Sequence, residues 1–306
     1  MNISVIIPTY NGAHKVLKIL KSIELQTCLP YEVIVVIDGS TDNTVELINM
    51  ESFKINNLKI IFQENGGRAK VRNTGARHAQ GDLLVFFDDD MRLLPDCIEQ
   101  HSLFHEKNPG AILTGGTKEE VLSYSSDLFC FKSSLSDQWN RQLIQYFDSP
   151  MPKGFSFITA ANFSISKDTW HLLNGFDERL SDAEDYDLAI RASLLDLPMY
   201  YNINAFAWHD DVVSCRRYIK RLREYREAQM YLQKIKPELY PLSHKYAINV
   251  PTGLKSIFFK LFCFSFWIDS VDSNMWKYIL PQKIRYRLYD FILTANASFY
   301  PHKVAL

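Results

Sequence analysis

Three consecutive aspartates, Asp88, Asp89 and Asp90, follow directly after the apolar run LLVFF. Carboxylates next to an apolar core repel one another and need a compensating cation. Oxygen ligands of this kind suit Mg²⁺ or Mn²⁺, which proteins usually share with the phosphates of a substrate. The other interpretation is a solvated loop, and the three aspartates alone leave both open.

A second acidic group, Glu184, Asp185 and Asp187, stands where a helix is predicted to begin. A carboxylate at such a place can act as a general base that takes a proton from a hydroxyl group. Acidic residues also stabilise the first turn of a helix through its dipole, so a structural role is the alternative. Further along, His209 is either a metal ligand or an ordinary histidine.

The elements that must position these residues are strands alternating with helices. Apolar runs predict strands at Ile3–Ile7, Val33–Ile37, Leu58–Phe62 and Leu83–Phe87. Strands that are apolar throughout and alternate with helices indicate an α/β protein whose parallel sheet is covered on both faces. Such sheets bind ligands beyond the carboxyl ends of their strands, so we expect the site there.

Polar residues follow each of the four predicted strands, although turn formers and helix caps would also be polar there. The sequence contains no GxGxxG after a strand and no GxxxxGK[ST]. A nicotinamide-type Rossmann site and a P-loop therefore lose their main support. Phosphates would instead be held by a metal and by Arg68 or Arg72.

Several blocks taken together resemble the family 2 glycosyltransferases with the GT-A fold: SVIIPTYNG, VIDGSTDNT, NGGRAKVRNTGARHAQGDLLVFFDDD, AANFSISKDTWHLLNGFDERL and EDYDLAIRA. The resemblance covers about residues 1–211. It implies a catalytic domain with a mostly parallel, Rossmann-like sheet, a nucleotide-binding half at 1–110 and an acceptor-side half at 111–211. Residues 212–306 are then expected to form an α-helical extension.

The resemblance implies roles for individual residues. The implied nucleotide and donor ligands are Pro8, Thr9, Tyr10, Asp38, Asn65, Gly67, Arg68, Arg72, Asp88 and Asp89. Asp88 and Asp90 match the outer residues of the family's DXD motif. The implied metal ligands are Asp90, His209 and Asp88, binding Mn²⁺ or Mg²⁺. In the pair Glu184-Asp185, Asp185 matches the catalytic base.

The implied reaction moves a sugar from a nucleoside-diphosphate sugar, expected to be a UDP-sugar, to a saccharide or lipid-linked saccharide. It is a metal-dependent single displacement with inversion. Candidate acceptor residues are Asp177, Glu178 and Trp170. Two departures from the family pattern are Ile37 before Asp38, where a second aspartate is usual, and Asn174 in place of the first glycine of GGFDE.

Two other functions stay open. The first is a saccharide-binding or scaffold protein that kept the fold without activity. The second is a sugar nucleotidyltransferase, for which a glycine-rich basic loop after the first strand is expected, whereas PTYNGAHK has one glycine. The sequence identifies neither the sugar nor the acceptor.

The formal net charge of −1 conceals two halves of opposite charge, −9 for residues 1–206 and +8 for residues 207–306. A basic helix is predicted from Cys215, and an aromatic-rich helix after Pro251. This combination is typical of contact with an anionic membrane surface, while packing within the protein or a homodimer contact is the alternative. No motif supports nucleic-acid binding.

The composition, 47% hydrophobic and 23% charged, is that of a soluble globular protein. Five widely spaced cysteines without a CxxC pair indicate reduced thiols in the cytoplasm. The N-terminus has no basic stretch before its short apolar run, so a signal peptide is not expected. The longest apolar run, Ile257–Ile268, is too short to span a bilayer. We therefore predict a cytoplasmic protein, and membrane contact would place it at the inner face of the cell membrane.

Overall fold

A computed structural model describes residues 1–211, 213–240 and 250–305. Its strands are β1 (Ile3–Thr9), β2 (Glu32–Asp38), β3 (Leu58–Gln63), β4 (Leu83–Phe87), β5 (Met91–Leu93), β6 (Ile112–Lys118), β7 (Asn162–Ser166) and β8 (Met199–His209). Its helices are α1 (Val16–Glu24), α2 (Thr44–Met50), α3 (Gly67–His78), α4 (Cys97–Lys107), α5 (Asp127–Leu143), α6 (Lys167–Leu172), α7 (Glu184–Leu194), α8 (Cys215–Ile235), α9 (Gly253–Lys260), α10 (Ser265–Asp272), α11 (Met275–Ile279) and α12 (Gln282–Leu293).

Within the described residues, the strands form one sheet in the order β3-β2-β1-β4-β7-β6-β8-β5. β1 pairs in parallel with both β2 and β4, and β3 pairs in parallel with β2. β7 runs antiparallel to β4, which ends the all-parallel part of the sheet. The α/β class and the four strands expected from the sequence are confirmed.

The sheet is covered on both faces because alternate residues of its strands point to opposite sides. In β2, Ile34 and Val36 belong to one apolar cluster, and Val33 and Val35 belong to another. Every residue of β2 and β4 is buried. Continuous apolar runs therefore formed strands here, as expected for a parallel sheet.

The chain divides into two compact units. The first consists of Met1–Glu120 and Ser136–Asp211 and contains the sheet. The second consists of Val121–Leu135 and Val212–Leu306, and its described elements are helical. The domain border expected after residue 211 stays a prediction, and residue 212 itself lies outside the described residues.

The second unit is organised around the buried carboxylate of Asp127. It accepts hydrogen bonds from Arg285 Nε at 2.5 Å, from Arg285 Nη2 at 2.8 Å and from the Tyr289 hydroxyl at 2.7 Å. The basic helix expected from Cys215 is α8. The aromatic-rich segment forms two helices, α9 and α10, where one was expected. Among the described helices, none has the length and apolar character that crossing a bilayer requires.

Candidate active site

The carboxyl ends of β1, β2 and β4 lie side by side because these strands are parallel neighbours. Thr9 ends β1, Asp38 ends β2, and the three aspartates follow β4. The Thr9 hydroxyl donates a hydrogen bond of 2.6 Å to Asp89 Oδ2, which joins the loops after β1 and β4. The polar residues that follow these strands in sequence therefore meet at one edge of the sheet.

Strand β5 brings Asp90 next to His209. It begins directly after Asp90 and pairs with the end of β8, so that Met91 lies opposite His209. His209 Nε2 is 3.4 Å from Asp90 Oδ1, and Lys15 Nζ donates to Asp90 Oδ2 at 2.9 Å. Burial acts to raise the pKa of Asp90, but His209 and Lys15 outweigh it and hold the pKa well below its usual range.

These two side chains are suited to holding part of a metal site. Asp90 Oδ1 is buried and accepts no hydrogen bond, although it faces an imidazole nitrogen. Mg²⁺ is usually bound through one or two protein carboxylates, with the remaining positions filled by water and substrate phosphates. Within the described ranges, no group of three or more His, Cys, Asp or Glu side chains is arranged to hold a metal. Asp90 and His209 therefore fit a cation that shares its coordination with a substrate.

A second carboxylate lies behind His209. Glu119 Oε1 is 3.8 Å from His209 Nδ1, and the Ser136 hydroxyl donates to Glu119 Oε2 at 2.7 Å. A carboxylate beside the far ring nitrogen of a metal-binding histidine orients the ring and favours one tautomer. Glu119 belongs to no motif that the sequence analysis identified, and the pairing of β6 with β8 is what brings it to His209.

Asp89 is enclosed by the loop after β1. Burial raises the pKa of Asp89 to about 7, and the Thr9 hydroxyl and Lys15 only partly oppose this effect. Gly12 packs directly against this pair, since a Cβ at Gly12 would lie 2.1 Å from Thr9 Oγ1 and 2.3 Å from Asp89 Oδ2. The glycine is required by the close approach of the two loops.

Asp38 organises the loop after β3. Its Oδ1 accepts hydrogen bonds from the Gln63 side chain at 2.6 Å and from the Gly66 N–H at 2.8 Å, and its Oδ2 accepts one from the Gly67 N–H at 3.0 Å. The Asn65 side chain donates to the Asp38 carbonyl oxygen at 3.0 Å. The carboxylate is thus already occupied by protein donors, and a direct role of Asp38 in nucleotide binding stays a prediction.

The loop after β1 presents an aromatic ring. Tyr10 follows Pro8 and Thr9 and is 53% exposed. The next residue, Asn11, adopts φ +50°, and its Oδ1 accepts the Thr41 N–H at 2.8 Å. This bond holds the loop after β1 against the loop after β2. An exposed ring in this position is able to stack on a nucleobase.

Arg72 is buried and connects two acidic groups that are distant in sequence. Its Nη1 donates to Glu184 Oε1 at 2.7 Å, and its Nη2 donates to Asp88 Oδ1. Burial acts to lower the pKa of Arg72, but Asp88 and Glu184 outweigh it and raise the pKa above its usual value. Arg72 therefore positions carboxylates. The side chain of Arg68 is 47% exposed, and its Nη1 lies 3.6 Å from Asp182 Oδ1. Of the two arginines expected near the diphosphate, Arg68 is the accessible one.

The pair Glu184-Asp185 begins α7. Burial raises the pKa of Glu184 to about 7, in spite of the attraction of Arg72. Burial also raises the pKa of Asp185. Asp185 Oδ2 accepts the Ala160 N–H at 3.2 Å, and its Oδ1 accepts the Tyr186 N–H at 2.7 Å. These two bonds fix the carboxylate of Asp185, and the residue as a whole is half-buried.

The candidate acceptor residues Asp177 and Glu178 have protein partners. Glu178 Oε1 accepts hydrogen bonds from Asn73 at 3.0 Å and from Arg77 at 3.1 Å. Asp177 Oδ2 accepts one from Arg179 at 2.6 Å. Both carboxylates therefore shape the segment before α7, and acceptor binding by either remains a prediction.

Trp170 lies in the core of the first unit. It is 5% exposed, and its ring packs against Phe86 and Phe176 with centroids 4.9 and 5.0 Å away. Stacking on a sugar needs an accessible ring face. We therefore correct the expectation that Trp170 belongs to the acceptor site.

The fold is similar to that of solved glycosyltransferase structures. It is similar to TarS 1–349 of S. aureus, solved in complex with UDP-GlcNAc, with a TM-score of 0.55, 18% identity and coverage of 98% of this chain and 92% of that chain. It is also similar to the mannosyltransferase PcManGT from Pyrobaculum calidifontis, solved with GDP-Man and Mn²⁺, with a TM-score of 0.61, 17% identity and coverage of 97% and 86%. The fold is that of the GT-A glycosyltransferases.

Sequence comparison finds the same resemblance. Residues 4–129 match the model of "Glycosyl transferase family 2". The chain is 35% identical over 133 residues to the uncharacterized glycosyltransferase YfnE of Bacillus subtilis, covering 42% of this chain and 33% of that protein. It is 27% identical over 222 residues to the hyaluronan synthase of Pasteurella multocida, covering 70% and 21%. The resemblance to family 2 glycosyltransferases is thus confirmed, and the chain spans a third or less of these relatives' length.

Proposed function

We propose that the chain is an inverting, metal-dependent glycosyltransferase that moves a sugar from a UDP-sugar to a hydroxyl of a saccharide or lipid-linked saccharide. The observation that carries the proposal is the guanidinium of Arg72, which binds Asp88 and Glu184 at once. It brings the three aspartates after β4 next to Asp185 at the start of α7. A donor-side group and a candidate base are thereby held at the same edge of the sheet.

Asp90 and His209 are suited to hold Mg²⁺ or Mn²⁺ together with the donor, and Asp88 is the neighbouring carboxylate. A divalent cation bound there offsets the negative charge of the leaving diphosphate. Arg68 is the accessible arginine at the proposed donor site. The exposed ring of Tyr10 would stack on the nucleobase of the donor. Asp89 and Thr9 keep the two donor loops together through their hydrogen bond.

Asp185 is the proposed base. Its carboxylate takes the proton of the acceptor hydroxyl as that oxygen bonds to the anomeric carbon. The bond from this carbon to the diphosphate breaks on the opposite side, so the configuration inverts. Burial raises the pKa of Asp185, and a carboxylate with a raised pKa is a stronger base for the acceptor proton. The N–H groups of Ala160 and Tyr186 orient it.

Related proteins support the choice of substrates. TarS has been solved with UDP and with UDP-GlcNAc, and two relatives are named hyaluronan synthase and chondroitin synthase. PcManGT was solved with GDP-Man and Mn²⁺, which supports metal use. We propose a UDP-sugar donor, a saccharide acceptor and a cytoplasmic location.

The test is the variant Asp185→Asn, compared with Asp168→Asn, which changes an exposed carboxylate elsewhere in the first unit. Release of UDP from UDP-sugars and thermal stabilisation by the same donors are both measured. We expect Asp185→Asn to lose about 10²-fold or more of its turnover while donor stabilisation persists. Turnover in Asp185→Asn equal to that of Asp168→Asn would contradict the assignment of the base.

A further inference from the structure

Helix α9 and the residues that follow it as far as Phe266 expose apolar side chains, where a surface helix is normally polar. The exposed residues, which we call the α9 face, are Leu254, Ile257, Phe258, Leu261, Phe264 and Phe266, and they are between 40% and 85% exposed. The first four recur at the spacing of one side of a helix. Phe259 and Phe262, at 7% and 8% exposed, belong to the core of the second unit. The segment is therefore apolar on its buried side and on its exposed side.

The segment that carries the α9 face is positively charged. Lys255 and Lys260 are exposed within the same segment, and residues 250–268 contain no Asp or Glu. The next acidic residue, Asp269, pairs with Arg216 at 2.9 Å. Apolar side chains interleaved with lysines match the boundary between lipid headgroups and acyl chains.

Two arginines of the basic helix α8 make contacts inside the second unit. Arg223 Nε donates to the carbonyl oxygen of Asn296 at 2.9 Å, and Arg226 donates to the carbonyl oxygen of Ser298. These arginines hold the C-terminal segment. Packing therefore accounts for part of the basic pattern of α8, which suggested membrane contact in the sequence, and the exposed apolar side chains single out the segment of α9.

We propose that the α9 face docks on a bilayer surface that contains anionic lipids. The six apolar side chains enter the interfacial region, and Lys255 and Lys260 lie against headgroup phosphates. A second copy of the chain would also bury the six side chains, but a symmetric contact would bring the lysines of both copies together. The bilayer is therefore the occupant that the charges favour, whatever reaction the first unit catalyses.

Sedimentation with vesicles tests the proposal. The full chain is mixed with phosphatidylcholine vesicles, either neutral or containing about 30% phosphatidylserine. The double variant Leu254→Asp with Phe264→Asp places two carboxylates on the α9 face, at positions that are 85% and 59% exposed. Leu25→Asp is the matched control, because Leu25 is 72% exposed in the first unit. We expect the chain and the control to sediment with anionic vesicles, and the double variant to bind at least about tenfold more weakly.

A second sedimentation experiment tests the role of the lysines. It compares the double variant Lys255→Glu with Lys260→Glu against the control Lys107→Glu on α4. We expect only the former to lose binding to anionic vesicles. Equal sedimentation with neutral and anionic vesicles, or no sedimentation at all, would overturn the proposal. So would a dimer that the Leu254→Asp, Phe264→Asp variant dissociates without any effect on vesicle binding. Circular dichroism of each variant confirms that it is folded.

Discussion

Replacing Glu184 by glutamine tests the electrostatics at the start of α7. Burial raises the pKa of Glu184 from an ordinary 4.5 to about 7, even with Arg72 in contact. Because this pKa is higher in the folded state than in the unfolded chain, the folded state binds the proton more tightly. The free energy of unfolding therefore falls as the pH rises from about 4.5 to about 7.

The size of the effect follows from the pKa difference. A pKa difference of this size lowers the free energy of unfolding by about 3 kcal/mol once Glu184 is fully ionised. Glutamine keeps the shape of the side chain and its acceptor for Arg72, but it carries no charge. We expect Glu184→Gln to raise the free energy of unfolding by up to about 3 kcal/mol near pH 8, and to change it little near pH 4.

Urea unfolding at both pH values measures this difference, which corresponds to a shift of about 1 M in the midpoint. The matched control is Asp187→Asn on the same helix. Asp187 is buried and bound to Arg191 Nε at 2.8 Å, so its loss leaves a guanidinium without its carboxylate. The free energy of unfolding of this control variant is expected to fall by about 3–5 kcal/mol. If Glu184→Gln is destabilised near pH 8 as much as Asp187→Asn, the reasoning about Glu184 is refuted.

Three further changes test other contacts. Gly12→Ala places a Cβ against Thr9 and Asp89, so we expect the free energy of unfolding to fall by about 1–3 kcal/mol and donor binding to weaken. Thermal unfolding with and without a UDP-sugar measures both effects. A variant with unchanged stability and unchanged donor binding would contradict the close approach of the two loops. Lys15→Met removes a cation 2.9 Å from Asp90 and is expected to tighten Mn²⁺ binding about tenfold in calorimetry, whereas weaker binding would show that Lys15 supports the site. Asp127→Asn breaks the ion pair with Arg285 and is expected to lower the free energy of unfolding by about 3–5 kcal/mol in a urea titration. An unchanged urea transition would count against the role of Asp127.

The first four strands were predictable because each is a continuous apolar run, which is how a strand buried on both faces reads. The ends of these strands were less predictable. The first strand was predicted to end at Ile7, yet β1 continues through Pro8 to Thr9. β4 pairs with β1 only as far as Ile6, so Pro8 lies where β1 has lost one neighbour, and a missing N–H is tolerated there.

The site was predictable where its residues share a local motif, as the three aspartates and Glu184-Asp185 do. Lys15 and Glu119 were missed because they reach Asp90 and His209 through tertiary contacts that no local pattern encodes. The role of Arg72 was also hidden, since it depends on a partner more than a hundred positions away. Likewise, the sequence alone did not separate a tryptophan that stacks on a sugar from Trp170, which packs on Phe86.

The most direct test of the proposed function is thermal unfolding of the wild-type chain and of Asp90→Asn with UDP-, GDP- and dTDP-sugars, with and without Mn²⁺. A donor at about 100 times its dissociation constant adds about 2.7 kcal/mol to the free energy of unfolding. We predict that a UDP-sugar with Mn²⁺ stabilises the wild-type chain in this way, and that Asp90→Asn loses the dependence on Mn²⁺. If no nucleotide sugar stabilises the chain, or if stabilisation is the same without Mn²⁺ and in Asp90→Asn, the proposed metal-dependent transfer is contradicted.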